Sequence, residues 1–200
     1  MIKIITIISM MIGVYSIYSR INNESNLYTP KYKIISKNNN IEIRQYNNIN
    51  IISTIEQLPY KEATYNGFKT LANYIFGNNK DNIKIPMTAP VLTSFPNKKK
   101  LQISFIIDEQ YSIDKLPQPK SEKIIMKELK LNKVAAIKFG FWATNKKVNK
   151  IKKKLETYLN KNNFKYSSEF LIAQYNSPWI IPPFRKNEIL VNIIENKGNK

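Results

Sequence analysis

FKTLANYIFGNNKDNIKIPMTAPV, residues 68–91, holds the change of rhythm on which the fold turns. Phe68, Leu71, Ala72, Ile75 and Phe76 recur at the spacing of one helix face. Gly77 followed by Asn78 supplies a C-terminal stop. Pro86 and Pro90 then exclude both more helix and a central strand, because neither donates a backbone hydrogen bond and each holds the residue before it extended. The chain therefore leaves a helix as stiff extended backbone and enters a strand at Val91.

On either side the period is two. KYKII and IEIRQYNNINIISTIE read as strands joined by a turn at residues 37–40, and VLTSF and LQISFII flank a turn at residues 96–100. The second half repeats the plan. KIIMKELKLNKVAAIKFGF reads as strands with a turn near Asn132. Val148, Ile151, Leu155, Tyr158 and Leu159 mark a second helix face, entered near Thr144 or Asn145, either of which can cap free N–H groups. FLIAQY and EILVNII supply two more strands. Each half is strand, strand, helix, strand, strand, a repeat of pattern rather than of residues. A helix with one apolar stripe buries it on a sheet, so the expected class is α+β: two such units forming a distorted, β-barrel-like sheet with two packed helices.

Composition narrows the chemistry. The 200 residues suit one domain, and 42% apolar residues mark a globular chain. Cysteine and histidine are absent, which removes disulfides, thiol nucleophiles, the commonest general base and the usual proximal haem ligand. The formal charge is +18, but the lysines are spread over turns and helix faces rather than gathered into one tract, which favours a solvated basic surface over a nucleic-acid footprint. Residues 4–18 form an uncharged apolar run. The domain plan is thus a signal peptide or N-terminal membrane anchor over residues 1–20, a polar linker over 21–30, the domain over 31–195 and a polar tail over 196–200, with the domain exported or held at a membrane by its N-terminal segment.

Three features stand out as candidates for a site. Ile85 and Met87 lie in the first proline segment, where they form either a core connector or a cavity wall. YNSPWIIPPFRKNE, residues 175–188, puts three prolines, Trp179 and Phe184 into one long connection, suited to presenting flat apolar surface. Arg44 and Arg185 are two of only three arginines in a chain that otherwise uses lysine. They call for a planar fork of donors, toward a ligand carboxylate or an internal acid such as Glu42 or Glu188.

With these pieces placed, the sequence resembles the SOUL/haem-binding protein family. Glu42–Ile43–Arg44–Gln45–Tyr46, GFKTLANYIFG, KIPMTAPV and YNSPWIIPPFRKNE carry the resemblance, over residues 32–194. It implies non-covalent binding of haem b or another tetrapyrrole, for binding, buffering or transport, with no catalytic step. The implied pocket residues are Arg44, Tyr46, Ile85, Met87, Trp179, Phe184 and Arg185, with cations such as Lys84 or Lys186 at the propionates. No histidine is present for the iron; Met87 is a weak candidate ligand and Tyr46 another. The same architecture also resembles effector-binding modules of bacterial regulators, which gives an alternative without haem specificity. Catalysis finds no assembled motif, and the sequence leaves the oligomeric state open.

Overall fold

The computed structural model describes Ser16, Ser19 and residues 22–24, 26–57 and 59–194. The apolar run expected to be a signal or anchor lies outside the described residues, among which no helix is long and apolar enough to cross a membrane.

The β-branched runs form nine strands: β1 (Tyr32–Asn38), β2 (Ile41–Tyr46), β3 (Ile49–Gln57), β4 (Val91–Asn97), β5 (Lys100–Ile106), β6 (Ile125–Leu129), β7 (Lys133–Phe139), β8 (Tyr166–Gln174) and β9 (Asn187–Ile193). Two long helices, α1 (Tyr60–Ile75) and α2 (Asn145–Lys161), separate them. The local signals act where expected. Gly77 takes φ +104 just past α1, Asn39 and Asn132 take positive φ in their turns, and Thr144 caps α2 by accepting from Lys147 N.

The strands make one open antiparallel sheet in the order β1-β2-β7-β9-β8-β4-β5-β3-β6. That order is a repeat read from its middle. The units are β2-β3-α1-β4-β5 and β6-β7-α2-β8-β9; they meet where Leu92 of β4 faces Ala173 of β8. Each unit also lends its first strand to the other, since β2 pairs with β7 and β6 with β3. The run IEIRQYNNINIISTIE is therefore two strands, not one, parted at Asn47–Asn48 so that the chain can pass from one end of the sheet to the other. β1 stands outside the repeat, as a cover on β2.

Register decides which face is which, because paired residues point the same way. Thr93 pairs with both Ile103 and Ile172, so the cores beneath α1 and α2 lie on one face. α1 buries Ala63, Gly67, Leu71, Ala72, Tyr74 and Ile75. Phe68 and Phe76, expected on that stripe, remain exposed: the buried face runs instead through Gly67, where a Cβ would sit 2.5 Å from Ile103 Cδ1, and Tyr74. Phe68 reaches only the edge of Phe105. α2 buries Val148, Ile151, Leu155 and Leu159 as its pattern predicts.

The opposite face closes on itself. Tyr46 and Val134 from one end of the sheet share a buried cluster with Ile49 and Ile51 from the other. This is the barrel-like curl, and it leaves a concave interior in which β2, β7 and β9 set their charged side chains.

Candidate functional site

On β2, Glu42, Arg44 and Tyr46 alternate onto the concave face, where the chain would ordinarily place apolar groups. Arg44 is 0% exposed. Its Nε donates to Glu42 Oε2 at 2.9 Å, Nη1 to Tyr46 Oη at 2.9 Å and Glu188 Oε2 at 2.8 Å, and Nη2 to Glu188 Oε1 at 2.6 Å. Nη2 also lies 2.7 Å from Glu42 Oε2. The fork is thus engaged by internal acceptors, and Arg44 is the hub of an ion-pair network with both Glu42 and Glu188 as its acids. Lys138 on β7 lies 2.7 Å from Glu42 Oε1 and Lys37 on β1 4.0 Å from it, so the two carboxylates face three cations. Tyr175 Oη donates to Glu188 Oε2 at 2.7 Å.

Burial acts on each of these groups. It pushes the Glu42 carboxyl up, but hydrogen bonds from Lys138 and Arg44 outweigh it and hold the group below the usual carboxylate range. The Tyr46 phenol is raised well above its ordinary value by burial. Tyr175 is raised further, by burial and by the Glu188 charge, so it stays a neutral donor.

Above this network opens a cleft of about 610 Å³. Tyr32 of β1 forms part of its floor, lying over the Arg44 guanidinium at 4.1 Å and beside the Tyr46 ring. Phe139, Ala89 and Phe184 add apolar wall, and Lys138, Lys186 and Arg185 bring cations to it. The antiparallel pairing of Val91 with Gln174 places the start of β4 beside the end of β8, so the two proline-bearing connections meet here. The segment expected to be a free linker meets them too. Ala89 N donates to Tyr28 O, Glu24 accepts from Asn176 Nδ2 and Ser177 N, and Thr29 and Pro30 line the cleft. Polar residues there serve as docking contacts, which composition does not reveal.

Arg185 shapes the late connection. Only 6% exposed, it donates from Nη1 to the carbonyls of Ser177 and Ile180, both at 3.0 Å, and stacks on Trp142 at 4.1 Å. Its buried Nε has no protein partner. Burial lowers its pKa.

The residues singled out from sequence thus divide. Phe184 and Arg185 line the cleft; Arg44 and Tyr46 lie beneath its floor, engaged with one another. Ile85 is buried in the core under α1, and Met87 packs against that same core. Trp179 borders a separate hollow with Asn23, Glu24 and Ser177. Met87, Trp179 and Phe184 therefore do not form one slot: Ile85 and Met87 belong to the core under α1, and from this proline segment the cleft takes Ala89. Sequence reading missed Tyr32, Lys138 and Tyr175. Lys138 carried a signal, as the one cation inside the apolar strand VAAIKF, whereas nothing local marks Tyr32.

The solved structures that resemble this chain share its fold at low identity. A hydrolase from Listeria innocua superposes with a TM-score of 0.58 at 8% identity, covering 84% of this chain and 94% of its own. The EcmrR C-terminal domain gives 0.58 at 9%, covering 82% and 99%. EcmrR in its DNA complex gives 0.59 at 9%, covering 97% and 68%. No curated protein matches the sequence. The profile of the SOUL heme-binding protein family, in contrast, matches residues 27–192, a span that takes in the whole curled sheet, both helices and both proline-bearing connections. On that extent of agreement, the chain belongs to the SOUL heme-binding protein family.

Proposed function

We propose that the chain binds haem b or a related tetrapyrrole non-covalently in the cleft between β1, the ends of β7 and β9, and the 175–186 connection, as a binder or carrier rather than a catalyst. The observation that carries this reading is the meeting of aromatic wall and cationic side chains in one cleft. Tyr32, Phe139 and Phe184 offer apolar surface to a flat macrocycle, while Lys186, Lys138 and Arg185 bring positive charge to the same wall for its propionates. A volume of about 610 Å³ lies within the range of small-molecule sites, roughly 300–1,000 Å³.

The same residues fit the plate better than the metal. Met87, the candidate iron ligand from sequence, packs with the α1 core, and Tyr46 is committed to Arg44. Tyr175 lines the cleft, but its raised pKa disfavours the phenolate that iron would need. Binding then rests on apolar contact and propionate pairing. Of the two acids that line the cleft, Glu188 is paired with Arg44 and Glu24 accepts from Asn176 and Ser177, which leaves both poorly suited to acid–base catalysis.

Titration with haemin and with iron-free protoporphyrin tests this. Affinities for the two within a few fold of each other are expected, and Phe184→Ala and Lys186→Glu weaken both. The absence of a saturable spectral change with either compound refutes the proposal; saturation by haemin alone refutes binding without an iron ligand.

A further inference from the structure

The end of the molecule beside the cleft exposes more apolar surface than solubility requires. Trp179 is 77% exposed, and Phe141, Trp142 and Ile181 are exposed as well. They come from two connections that hold each other: Arg185 stacks on Trp142, and Asn187 Nδ2 donates to Phe141 O at 2.8 Å. The result is one surface rather than scattered residues. Lysines adjoin it. Lys147 lies 4.6 Å from the Phe141 ring, and along the outer face of α2 Lys146, Lys150, Lys153 and Lys154 line a shallow hollow that has no acidic side chain in its wall.

We propose that this surface docks on an anionic lipid bilayer, the two aromatic connections entering the headgroup region and the α2 lysines meeting acidic headgroups. Aromatic rings beside lysines are the side chains that settle at such an interface. Single-stranded nucleic acid, the other polyanion that aromatic and basic surfaces bind, needs open ring faces for stacking. Here Arg185 covers a face of Trp142 and Lys147 a face of Phe141, which leaves the exposed Trp179 for stacking, and a single ring is a short platform for successive bases. Asn23 and Glu24 share a hollow with Trp179, so the described N-terminal residues lie against this same end.

Trp142 and Trp179 are the only tryptophans in the chain, so fluorescence reports on this surface alone, whatever else attaches the protein. The full chain is mixed with vesicles of phosphatidylcholine, or of phosphatidylcholine with phosphatidylglycerol, carrying brominated acyl chains. On the anionic vesicles both tryptophans are expected to shift to the blue and be quenched, each seen separately in Trp142→Phe and Trp179→Phe. The triple variant Lys146→Glu, Lys150→Glu, Lys154→Glu weakens this response on the order of a hundredfold, at roughly fivefold per lysine, with an unchanged far-UV spectrum. Co-sedimentation with both tryptophans still unquenched overturns the proposal, because attachment then runs through another segment. So does an equal response to neutral vesicles, or an emission change produced by single-stranded DNA and not by lipid.

Discussion

The β4–β5 and β8–β9 hairpins hold equivalent places in the two repeats and are built to opposite ends. β4 turns into β5 across Lys98–Lys99, held by Asn97 Oδ1 accepting from Lys99 N. β8 reaches β9 only after the proline-bearing connection that Arg185 ties down from within. Length moves in the other direction at the preceding joint: α2 runs into β8 within a few residues, while α1 reaches β4 through the segment that ends in TAPV. Each unit thus carries one long rigid connection, and the antiparallel β4–β8 seam brings the two to the same end of the sheet. A cleft can form there because neither connection satisfies a full strand ladder, and because Arg185 supplies donors the prolines lack.

The first strands of the two units differ in the same spirit. β6 is an edge with mostly exposed side chains, whereas β2 lies under β1 and is buried at all but one position. Only the covered strand carries the Glu42–Arg44 network. Removing its hub is the severest test of that difference. Arg44→Ala strands Glu42 and Glu188 without their common partner and is expected to cost about 3–5 kcal/mol in urea unfolding, whereas Lys127→Ala on the β6 edge stays within about 0.5 kcal/mol. Equal effects would mean the network is not the distinguishing feature of the two ends.

Next in size is Arg185→Ala. Losing its contacts to the carbonyls of Ser177, Ile180 and Asn176 costs about 2 kcal/mol and loosens the cleft wall, so tetrapyrrole affinity falls as well. Lys99→Ala in the equivalent tight turn alters neither, by the same unfolding and titration measurements.

The network also titrates. Tyr46 and Tyr175 have folded pKa values above those of the unfolded chain, so their contribution is complete below about pH 10 and declines as pH rises beyond it. Unfolding followed from neutral to alkaline pH should show that decline, and Tyr175→Phe should flatten it. Glu42 works in reverse: its lowered pKa contributes stability above the unfolded value near about 4.3, lost as acid protonates the folded carboxylate.

Smallest is Gly67→Ala. The new methyl must displace Ile103 Cδ1, and the overpacking, partly offset by better helix propensity, leaves a loss of about 1 kcal/mol in unfolding. A stabilised variant would show that α1 can lift from the sheet without cost.

Much of the secondary structure was legible because its causes are local. Thr144, Gly77, Asn39 and Asn132 each act on the backbone within a residue or two of themselves, and the α2 stripe needs only the helical period. The α1 stripe is legible at Leu71, Ala72 and Ile75 but not at Gly67, since a glycine's close approach to a sheet leaves no hydrophobic signal. The candidate site was legible in its rarest residues, Arg185 and Phe184, and in the prolines that bring them together. Its floor was not. Tyr32 looks like any strand aromatic, and its value comes from lying over a guanidinium on the neighbouring strand.

Composition and short-range periodicity fixed both helices, most of the strands and a chemistry without thiol or imidazole, because these depend only on residue type and local spacing. Tertiary structure decided the exchange of first strands, the covering of β2 by β1 and the fate of the two arginines. Arg44 meets Glu188 across 144 positions of chain, and whether such a fork faces a ligand or an internal carboxylate depends on which strands lie side by side. That pairing is a property of the whole sheet, set when both helices bury their stripes on one face and the other face curls shut.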